Sequence, residues 1–372
     1  MSSVTSLRDV VDIVIGVDTH VQTHSAAAID TGTGAVLGEI SIEANAQGYR
    51  ELEEFAAAIA DEHAALQAFA IEGTASHGRG LSAFLDQRDQ LVIEVDRPQR
   101  AARRGGVKSD PADAIRAARE ALSRERLATP RSSTRSGNDP EQAAIRQALA
   151  TRLAIRRSAV QGAGDARRQL FSAIMTAPEP VRARLRGLRA GKLVAKAASL
   201  NPKAAWSISD TETAELVACL RVWARRIQQL QKEAADHERA IRALVRRWRP
   251  DLLAELGIGP IVAAIILCAW GHAGRIHSDG AFAKLAGTSP IEATSGQIHT
   301  RHRLNRYGDR QLNAAMHTIV ISRQRLDSAT IAYTDRRTSE GKTPREIRRC
   351  LKRYVTRHIY RILETENTPR QT

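Results

Sequence analysis

Four acidic residues have the types and spacing needed to bind divalent metal ions together. Asp18 ends a short β-branched run, DIVIGVD, and Glu72 directly follows a second apolar run, QAFAI. Asp110 and Asp113 are three residues apart at the start of a predicted helix, so they share one face of it. Carboxylate oxygens suit Mg²⁺, with Mn²⁺ as an alternative, and two such ions about 4 Å apart stabilise the attacking and leaving oxygens in phosphoryl transfer.

Each of these residues also has a structural explanation when it is taken alone. Asp110 precedes Pro111 and could cap the helix, while Asp113 could complement the positive end of the helix dipole. Asp18 could be a turn residue at the end of a strand. The ordered combination of strand Asp, strand Glu and helical Asp-x-x-Asp is more specific than its parts, so we expect a shared metal site that supports phosphoryl transfer.

The elements that carry these residues predict an α/β layer with a mixed sheet. Short β-branched or apolar runs indicate strands, and apolar residues at helical spacing indicate the helices between them. In chain order the predicted elements are strands Asp12 to Asp18, Ser25 to Asp30 and Ala35 to Ile42, helix Gln47 to Glu62, strand Gln67 to Ile71, helix Gly80 to Gln87 and strand Leu91 to Val95. Ribonuclease H-like folds share this order. In such a sheet Asp18 and Glu72 would meet near neighbouring strand ends.

The charge is divided unevenly between the front and the rear of the chain. Residues 1–95 hold 4 Lys and Arg against 15 Asp and Glu, whereas the rest holds 52 against 26, which gives net charges of −11 and +26. An acidic front could hold cations. A strongly basic rear favours a polyanionic partner, nucleic acid before an acidic membrane surface, with salt-dependent binding.

Cysteine use and apolar patterning favour a reducing compartment. Cys219, Cys268 and Cys350 lie far apart, without the spacing of a disulfide framework or a metal site. The N-terminus has no basic run followed by an apolar stretch, so no secretory signal is expected. The longest apolar run, Ile258 to Trp270, is too short to cross a bilayer and contains a Gly-Pro pair, so we expect a buried helix and no membrane partner.

The middle of the chain is predicted to be helical. It begins after a loop, Pro130 to Pro140, and is interrupted by a Pro/Ser segment, Ser199 to Asp210, that would join two antiparallel arms. The second arm has a heptad seam of residues alternately four and three apart: Leu216, Leu220, Trp223, Ile227, Leu230, Ala234, His237, Ile241, Leu244 and Trp248. The seam could pack inside one chain as a helical hairpin, or it could also pair subunits as a coiled coil.

The rear is a third, mainly helical unit that starts near Asp251. The stretch LLAELGIGPIVAAIILCA has the form of a helix-hairpin-helix, in which Gly257 and Gly259 let backbone amides approach a DNA phosphate. A plain tight turn between helices is the alternative. The unit ends in an amphipathic helix, Pro344 to Leu363, whose polar side is dense in Arg and Lys and could contact phosphates.

Several short motifs together resemble one family of mobile-element proteins. They are GVDTH around Asp18, AIEGT around Glu72, KSDPADA around Asp110 and Asp113, LGIGP, and the segment GTSP…SGQ…NRYGDRQLN. This set resembles the Piv/MooV-type insertion-sequence transposases, the IS-one-ten family. Members pair an N-terminal RuvC-like DEDD domain with a C-terminal domain that bears a serine, and the resemblance covers nearly the whole chain.

The resemblance implies a chemistry and a set of partners. The DEDD cluster would bind Mg²⁺, and Ser295, in the Ser-Gly pair, would attack a DNA phosphate to form a phosphoserine intermediate. Thr294 and Ser289 are rival hydroxyl groups, because Gln297 stands where members usually have a second glycine. The expected nucleic-acid contacts are Lys108, Gly257, Gly259, Arg301, Arg303 and Arg306. A noncoding guide RNA, a dimer or tetramer formed through the helical middle, and a cytoplasmic, nucleoid-associated location in a bacterium are also implied.

The sequence therefore predicts three segments and one main activity. Residues 1–128 would form the RuvC-like DEDD domain, 129–250 the helical coiled-coil region and 251–372 the C-terminal transposase domain. The expected activity is excision and insertion of an insertion-sequence element by cleavage and rejoining of DNA at element ends and target. The alternatives are a RuvC-like structure-specific DNA nuclease without a serine step and a non-catalytic nucleic-acid-binding relative.

Overall fold

Five strands form the mixed sheet that the sequence predicts. The computed structural model describes residues 6–63, 65–95, 110–124, 128–130, 139–202, 211–292, 302–304 and 308–365. The strands of the sheet are β1 (Ile13–Thr19), β2 (Thr23–Asp30), β3 (Val36–Glu43), β4 (Gln67–Glu72) and β5 (Val92–Val95). Their order is β3-β2-β1-β4-β5; β2 runs antiparallel to both of its neighbours, and β4 and β5 run parallel to β1.

Helices cover both faces of this sheet. α1 (Ala46–His63) and α2 (Arg79–Asp86) lie on one face, and α3 (Asp110–Ser123) lies on the other. Successive side chains of a strand point to opposite faces, so Ile15 packs under α1 and α2 whereas Val14 packs under α3. The predicted ribonuclease H-like layer is thereby confirmed.

Most of the described chain after α3 is helical, as predicted. The helices are α4 (Pro140–Thr176), α5 (Glu179–Leu185), α6 (Ala190–Ala198), α7 (Thr211–Trp248), α8 (Asp251–Ala254), α9 (Pro260–Trp270), α10 (Asp279–Leu285), α11 (Arg310–Leu326), α12 (Ser328–Ser339) and α13 (Pro344–Glu364). A two-stranded antiparallel hairpin, β6 (Pro290–Glu292) and β7 (His302–Leu304), lies between α10 and α11.

The long helices α4 and α7 pack against each other in opposite directions. Arg152 Nη1 of α4 lies 3.2 Å from His237 Nδ1 of α7, and Gly162, further along α4, lies beside Leu230, which is earlier in α7. The seam residues seven apart are buried: Leu220, Ile227, Ala234, Ile241 and Trp248. The seam therefore packs inside the chain as a helical hairpin, and pairing of subunits along it stays a prediction.

The chain divides into two compact units. One contains residues 1–144, 270–308 and 356–372, and the other contains residues 145–269 and 309–355. The segment from the end of α9 to the start of α11 thus belongs with the sheet. The three predicted segments follow the order of elements along the chain, and they stay a prediction.

The long apolar run of the sequence is the helix α9. Ala263, Ile266, Leu267 and Trp270 of this helix are buried, as the composition of the run predicts. Among the helices in the described ranges, none combines the length and the apolar character that a bilayer crossing needs.

Candidate metal-binding and catalytic site

Asp18 and Glu72 lie at the carboxyl ends of two adjacent parallel strands. β1 and β4 are in register up to Val17 and Ile71, and Asp18 and Glu72 are the next residues of each strand. Ala70, two positions before Glu72, packs in the core beneath α3. Because side chains two positions apart share a face, Asp18 and Glu72 both face the side of the sheet that α3 covers.

A glycine in β1 sets the close approach of α3 to these strand ends. A Cβ atom on Gly16 would lie 2.1 Å from the Ala114 carbonyl oxygen and 2.6 Å from the Ala118 amide nitrogen. Later residues of α3 pack with Val14, which is earlier in β1, so the helix runs antiparallel to the strand. The first turn of α3, which contains Asp110 and Asp113, therefore lies toward the carboxyl end of β1.

The two helical carboxylates are described to different extents. Asp113 is half-buried and forms an ion pair with Arg116, one turn along the exposed side of α3. Asp110 is the first residue of the helix, and its side chain lies outside the described part. Among the side chains that are described, no group of three or more acidic, His or Cys residues is close enough to bind one ion. Asp18, Glu72 and Asp113 supply carboxylate oxygens near this edge, which fits a hard divalent cation.

Two histidines, His20 and His24, lie near the carboxyl end of β1. His20 donates from Nε2 to Asp18 Oδ2 at 3.1 Å, and Asp18 is only 8% exposed. His24 is fully buried, and its Nδ1 donates to the Thr23 carbonyl oxygen at 3.0 Å. Burial is the main cause that lowers the pKa of His24, with smaller contributions from His20 and His77. His24 is therefore neutral at pH 7 and adds no charge that would repel a cation near Asp18.

A small cavity opens at the same edge of the sheet. Its volume is about 180 Å³, and it is lined by Thr19, Glu72, Gly73, Ser76, His77, Glu94 and Val95. A water molecule occupies about 30 Å³ in the liquid, so the cavity has room for a few waters or for a phosphate group. Glu72 thus borders open space as well as the neighbouring strand.

The segment that holds the serine motif is bounded by the paired strands β6 and β7. The two strands pair from Pro290 with Leu304 to Glu292 with His302. Ser295, Thr294 and Arg301 come between these strands in sequence, and all three lie outside the described residues, as do Lys108 and Arg306. Arg303 pairs with Ile291 in the hairpin, and its side chain is not described. Ser289 is half-buried just before β6, where its amide donates to the Ala283 carbonyl oxygen at 3.2 Å.

Close packing and an ion pair hold this hairpin segment within the unit that contains the sheet. Gly308, after β7, packs so closely on the end of α10 that a Cβ atom would lie 2.7 Å from the Leu285 carbonyl oxygen. Arg275, before α10, donates from Nη2 to Glu94 Oε2 of β5 at 3.3 Å, and both side chains are about nine-tenths buried. Neither Glu94 nor Arg275 was predicted from the sequence, because 181 residues separate them and no motif connects them.

The predicted helix-hairpin-helix gives its two glycines different surroundings. Gly257 has φ +87°, and a Cβ atom there would lie 3.1 Å from Ser322 Cβ and 3.2 Å from the Ile319 carbonyl oxygen of α11. The positive φ, together with the close packing against α11, is thus sufficient to explain glycine at this position. Gly259 has open space on the side where a Cβ atom would be, which leaves its backbone accessible to a phosphate.

Comparisons with known proteins agree with this arrangement. Residues 15–171 match a family described as a transposase of the DEDD, IS110 type, and residues 252–335 match the Transposase IS116/IS110/IS902 family. A search among curated proteins returned no similar sequence. The DEDD match contains Asp18, Glu72, Asp110 and Asp113, and a DEDD domain uses divalent metal ions. The chain therefore belongs to the IS110/IS116/IS902 family of DNA-binding transposases, enzymes of insertion sequences with an N-terminal DEDD domain and a C-terminal transposase domain.

Proposed function

We propose that this transposase excises and inserts its element with one active site built from Asp18, Glu72, Asp110, Asp113 and Ser295. The observation that carries the proposal is the pairing of β1 with β4, which brings Asp18 and Glu72 to adjacent strand ends on the face covered by α3. The first turn of α3 contributes the two remaining carboxylates. The hairpin that bears Ser295 belongs to the same compact unit as the sheet, which supports a shared site.

The carboxylates are the groups that would hold the metal. Mg²⁺, or Mn²⁺ in its place, would supply positive charge to the oxygens of the reacting phosphate. Asp18 is already held in place by His20, which orients its Oδ2 atom. Asp113 would exchange its pairing with Arg116 for a metal, and because exposed ion pairs stabilise a protein by only about 0–1 kcal/mol, that exchange costs little.

Ser295 would carry the covalent step. Its hydroxyl group loses a proton as Oγ attacks a DNA phosphorus, an Oγ–P bond forms, the P–O bond to one deoxyribose breaks, and the released DNA end takes up a proton as a hydroxyl group. Rejoining reverses the step: a DNA hydroxyl attacks the same phosphorus and Ser295 leaves. The bond energy is kept in the phosphoserine, so rejoining needs no external energy source.

Trapping the covalent adduct tests both parts of the site. Element-end DNA labelled on one strand is incubated with Mg²⁺, and the attached peptide is identified after proteolysis. We expect an adduct on Ser295 that is lost in Ser295→Ala and in Asp18→Asn, whereas Ser289→Ala and Thr294→Ala retain it. Strand cleavage and an adduct that both persist in Ser295→Ala would refute the serine mechanism, and cleavage without any adduct would indicate a RuvC-like nuclease that activates water.

A guide RNA is proposed as a second nucleic-acid partner. The net charge of +26 beyond residue 95 is large enough for the chain to neutralise phosphates of RNA as well as of DNA. Cleavage of element ends should then require a transcript from the noncoding flank of the element. The protein is first treated with nuclease and then assayed with and without that transcript. Equal cleavage in the two assays would contradict guidance by RNA.

A dimer or tetramer is proposed to form through the helical middle. Ile155 and Val160 of α4 and Val222 of α7 are 40%, 48% and 65% exposed, which is unusual for aliphatic side chains on a paired helix. A cleft of about 350 Å³ between α4 and α7 adjoins Val160. Val160→Asp should shift the molar mass measured by light scattering toward the monomer, and an unchanged mass would argue against this interface.

The proposed location is the bacterial nucleoid.

A further inference from the structure

The turn between β4 and α2 holds a histidine close to the proposed metal site. Residues 73–78 form this turn, which directly follows Glu72, the last residue of β4. His77 lines the cavity of about 180 Å³ together with Glu72, and it is exposed. In the part of the chain that the structure describes, no hydrogen bond or ion pair holds its ring. The imidazole is therefore available to a substrate that enters the cavity.

Two glycines fix the position of this turn against the strand ends. Gly73 has φ +69°, and its carbonyl oxygen accepts from the amides of Ser76 at 2.8 Å and Gly78 at 3.2 Å. A Cβ atom on Gly78 would lie 2.9 Å from Ile71 Cγ2 and 3.0 Å from the Glu72 carbonyl oxygen. Because packing this close leaves the backbone little freedom, the turn keeps a constant position beside the end of β4.

The two histidines near the carboxyl end of β1 are already engaged. His20 donates to Asp18 Oδ2, and the fully buried His24 has its ring stacked on that of Tyr49 with centroids 5.9 Å apart. Burial is the main cause that lowers the pKa of His24, and the charge of His77 adds to it, so His77 lies within electrostatic range of this edge. Of the three histidines, His77 is the one whose side chain borders the cavity.

Cleavage of a DNA strand needs a proton donor for the oxygen that leaves. When the P–O bond to deoxyribose breaks, its electron pair goes to the deoxyribose oxygen, which takes up a proton to leave as a hydroxyl group. An imidazole can donate and accept a proton near neutral pH. A general acid in the right position accelerates such a step by about 10²–10⁴-fold.

We propose that His77 is the general acid that protonates the leaving deoxyribose oxygen. One N–H bond of the imidazolium breaks as the new O–H bond forms, which leaves the ring neutral. In rejoining, the neutral ring takes a proton back from the DNA hydroxyl group that attacks. The inference rests on the proposed metal-dependent cleavage, but it is the same whether Ser295 or a water molecule attacks the phosphorus.

Element-end DNA with a sulfur leaving group tests this role. Sulfur replaces the bridging oxygen that leaves at the cleaved position, and because a thiol has a pKa of about 8.5, sulfur leaves as a thiolate without a proton donor. We expect His77→Gln to cleave the oxygen substrate about 10²–10⁴-fold more slowly than the parent in a single turnover, and the sulfur substrate at nearly the parent rate. Each rate is divided by the parent rate on the same substrate, which cancels the intrinsic reactivity of sulfur.

His63→Gln is the matched control, because His63 is also exposed but lies at the opposite edge of the sheet. It ends α1 and is close to Asp30, the last residue of β2, which pairs with the first residue of the antiparallel strand β1. This variant should cleave both substrates at the parent rate. His77→Gln should bind element-end DNA in EDTA as the parent does, and cleavage of the sulfur substrate shows that the variant is folded.

Two results would overturn the inference. His77→Gln could cleave the oxygen substrate at the parent rate, or it could lose the same factor on both substrates, which would indicate a role in folding or in placement of the DNA. The adduct assay on Ser295 tests the nucleophile separately. A missing adduct, with the sulfur substrate still restoring the rate of His77→Gln, would refute the serine step and support His77.

Discussion

Replacement of Gly16 by alanine should damage the active site without touching any of its proposed catalytic residues. The new Cβ atom would lie 2.1 Å from the Ala114 carbonyl oxygen, where an ordinary contact is about 3.4 Å, so α3 must move outward by about 1.3 Å. Both nearest atoms, on Ala114 and Ala118, belong to the helix backbone and cannot rotate away. Asp110 and Asp113 move with the helix, whereas Asp18 and Glu72 stay on the strands.

The expected losses follow from that displacement. Overpacking of a core costs about 1–3 kcal/mol of unfolding free energy, and a displacement of about 1 Å between catalytic groups can cost about 100-fold in rate. We therefore expect Gly16→Ala to remain folded but to cleave element-end DNA about 100-fold more slowly, with a requirement for more Mg²⁺. Urea unfolding and a single-turnover cleavage assay at a temperature well below the melting transition measure the two effects separately.

Gly38→Ala is the matched control in the same sheet. Its Cβ atom would contact the ring end of Phe55 at 3.2 Å and the end of Ile59 at 3.3 Å, and both side chains can shift by a few tenths of an ångström. This variant should retain its rate. A second change, Ala118→Gly, should not rescue Gly16→Ala, because the Ala114 carbonyl remains. Cleavage of DNA by Gly16→Ala at the parent rate, or with an unchanged Mg²⁺ requirement, would refute this role of Gly16.

Two further predictions concern stability. Gly257→Ala should lower the unfolding free energy by about 1–3 kcal/mol, because φ is +87° and the Ile319 carbonyl lies 3.2 Å from the new atom. Gly259→Ala is the control and should leave the midpoint of urea unfolding unchanged. Equal midpoints for the Gly257→Ala variant and the parent would contradict the packing role of Gly257. Burial lowers the pKa of His24 and of His272, so the unfolded chain binds protons that the folded chain does not. Unfolding free energy should therefore fall as pH drops below about 6.5, by up to about 1.4 kcal/mol per pH unit for each histidine, and His24→Phe should flatten this slope, whereas an unchanged slope would count against the assignment.

The sheet and its carboxylates could be predicted because the signals are local. β1 and β4 are short apolar runs that end in Asp18 and Glu72, and the helical period of α1 is distinct from the strand pattern on either side. The predicted bounds of these elements differ from the observed ones by one or two residues. Their meeting at one edge followed from the order of elements that ribonuclease H-like sheets share.

The surroundings of the site depend on interactions that have no local signal. Glu94 and Arg275 form a buried ion pair although 181 residues separate them in sequence, and no local sequence pattern predicts their contact. The heptad seam of α7 is visible as apolar residues, but its antiparallel partner α4 has no equally regular pattern. Gly257 is a third case: its motif indicates a glycine that lets a phosphate approach, whereas its φ of +87° and its packing on α11 already explain the glycine.

The two edges of the sheet differ in their exposure to other copies of the chain. The outer edge of β5 is covered, because the Glu94 amide donates to the Ala128 carbonyl oxygen at 2.7 Å. The outer edge of β3 pairs with no strand in the described ranges, and it carries Glu39 and Glu43. A second copy that added its own β3 to this edge would bring these negative charges together. The acidic edge strand is thus unfavourable for such pairing, and we expect neutral replacements of Glu39 and Glu43 to lower the yield of dispersed protein.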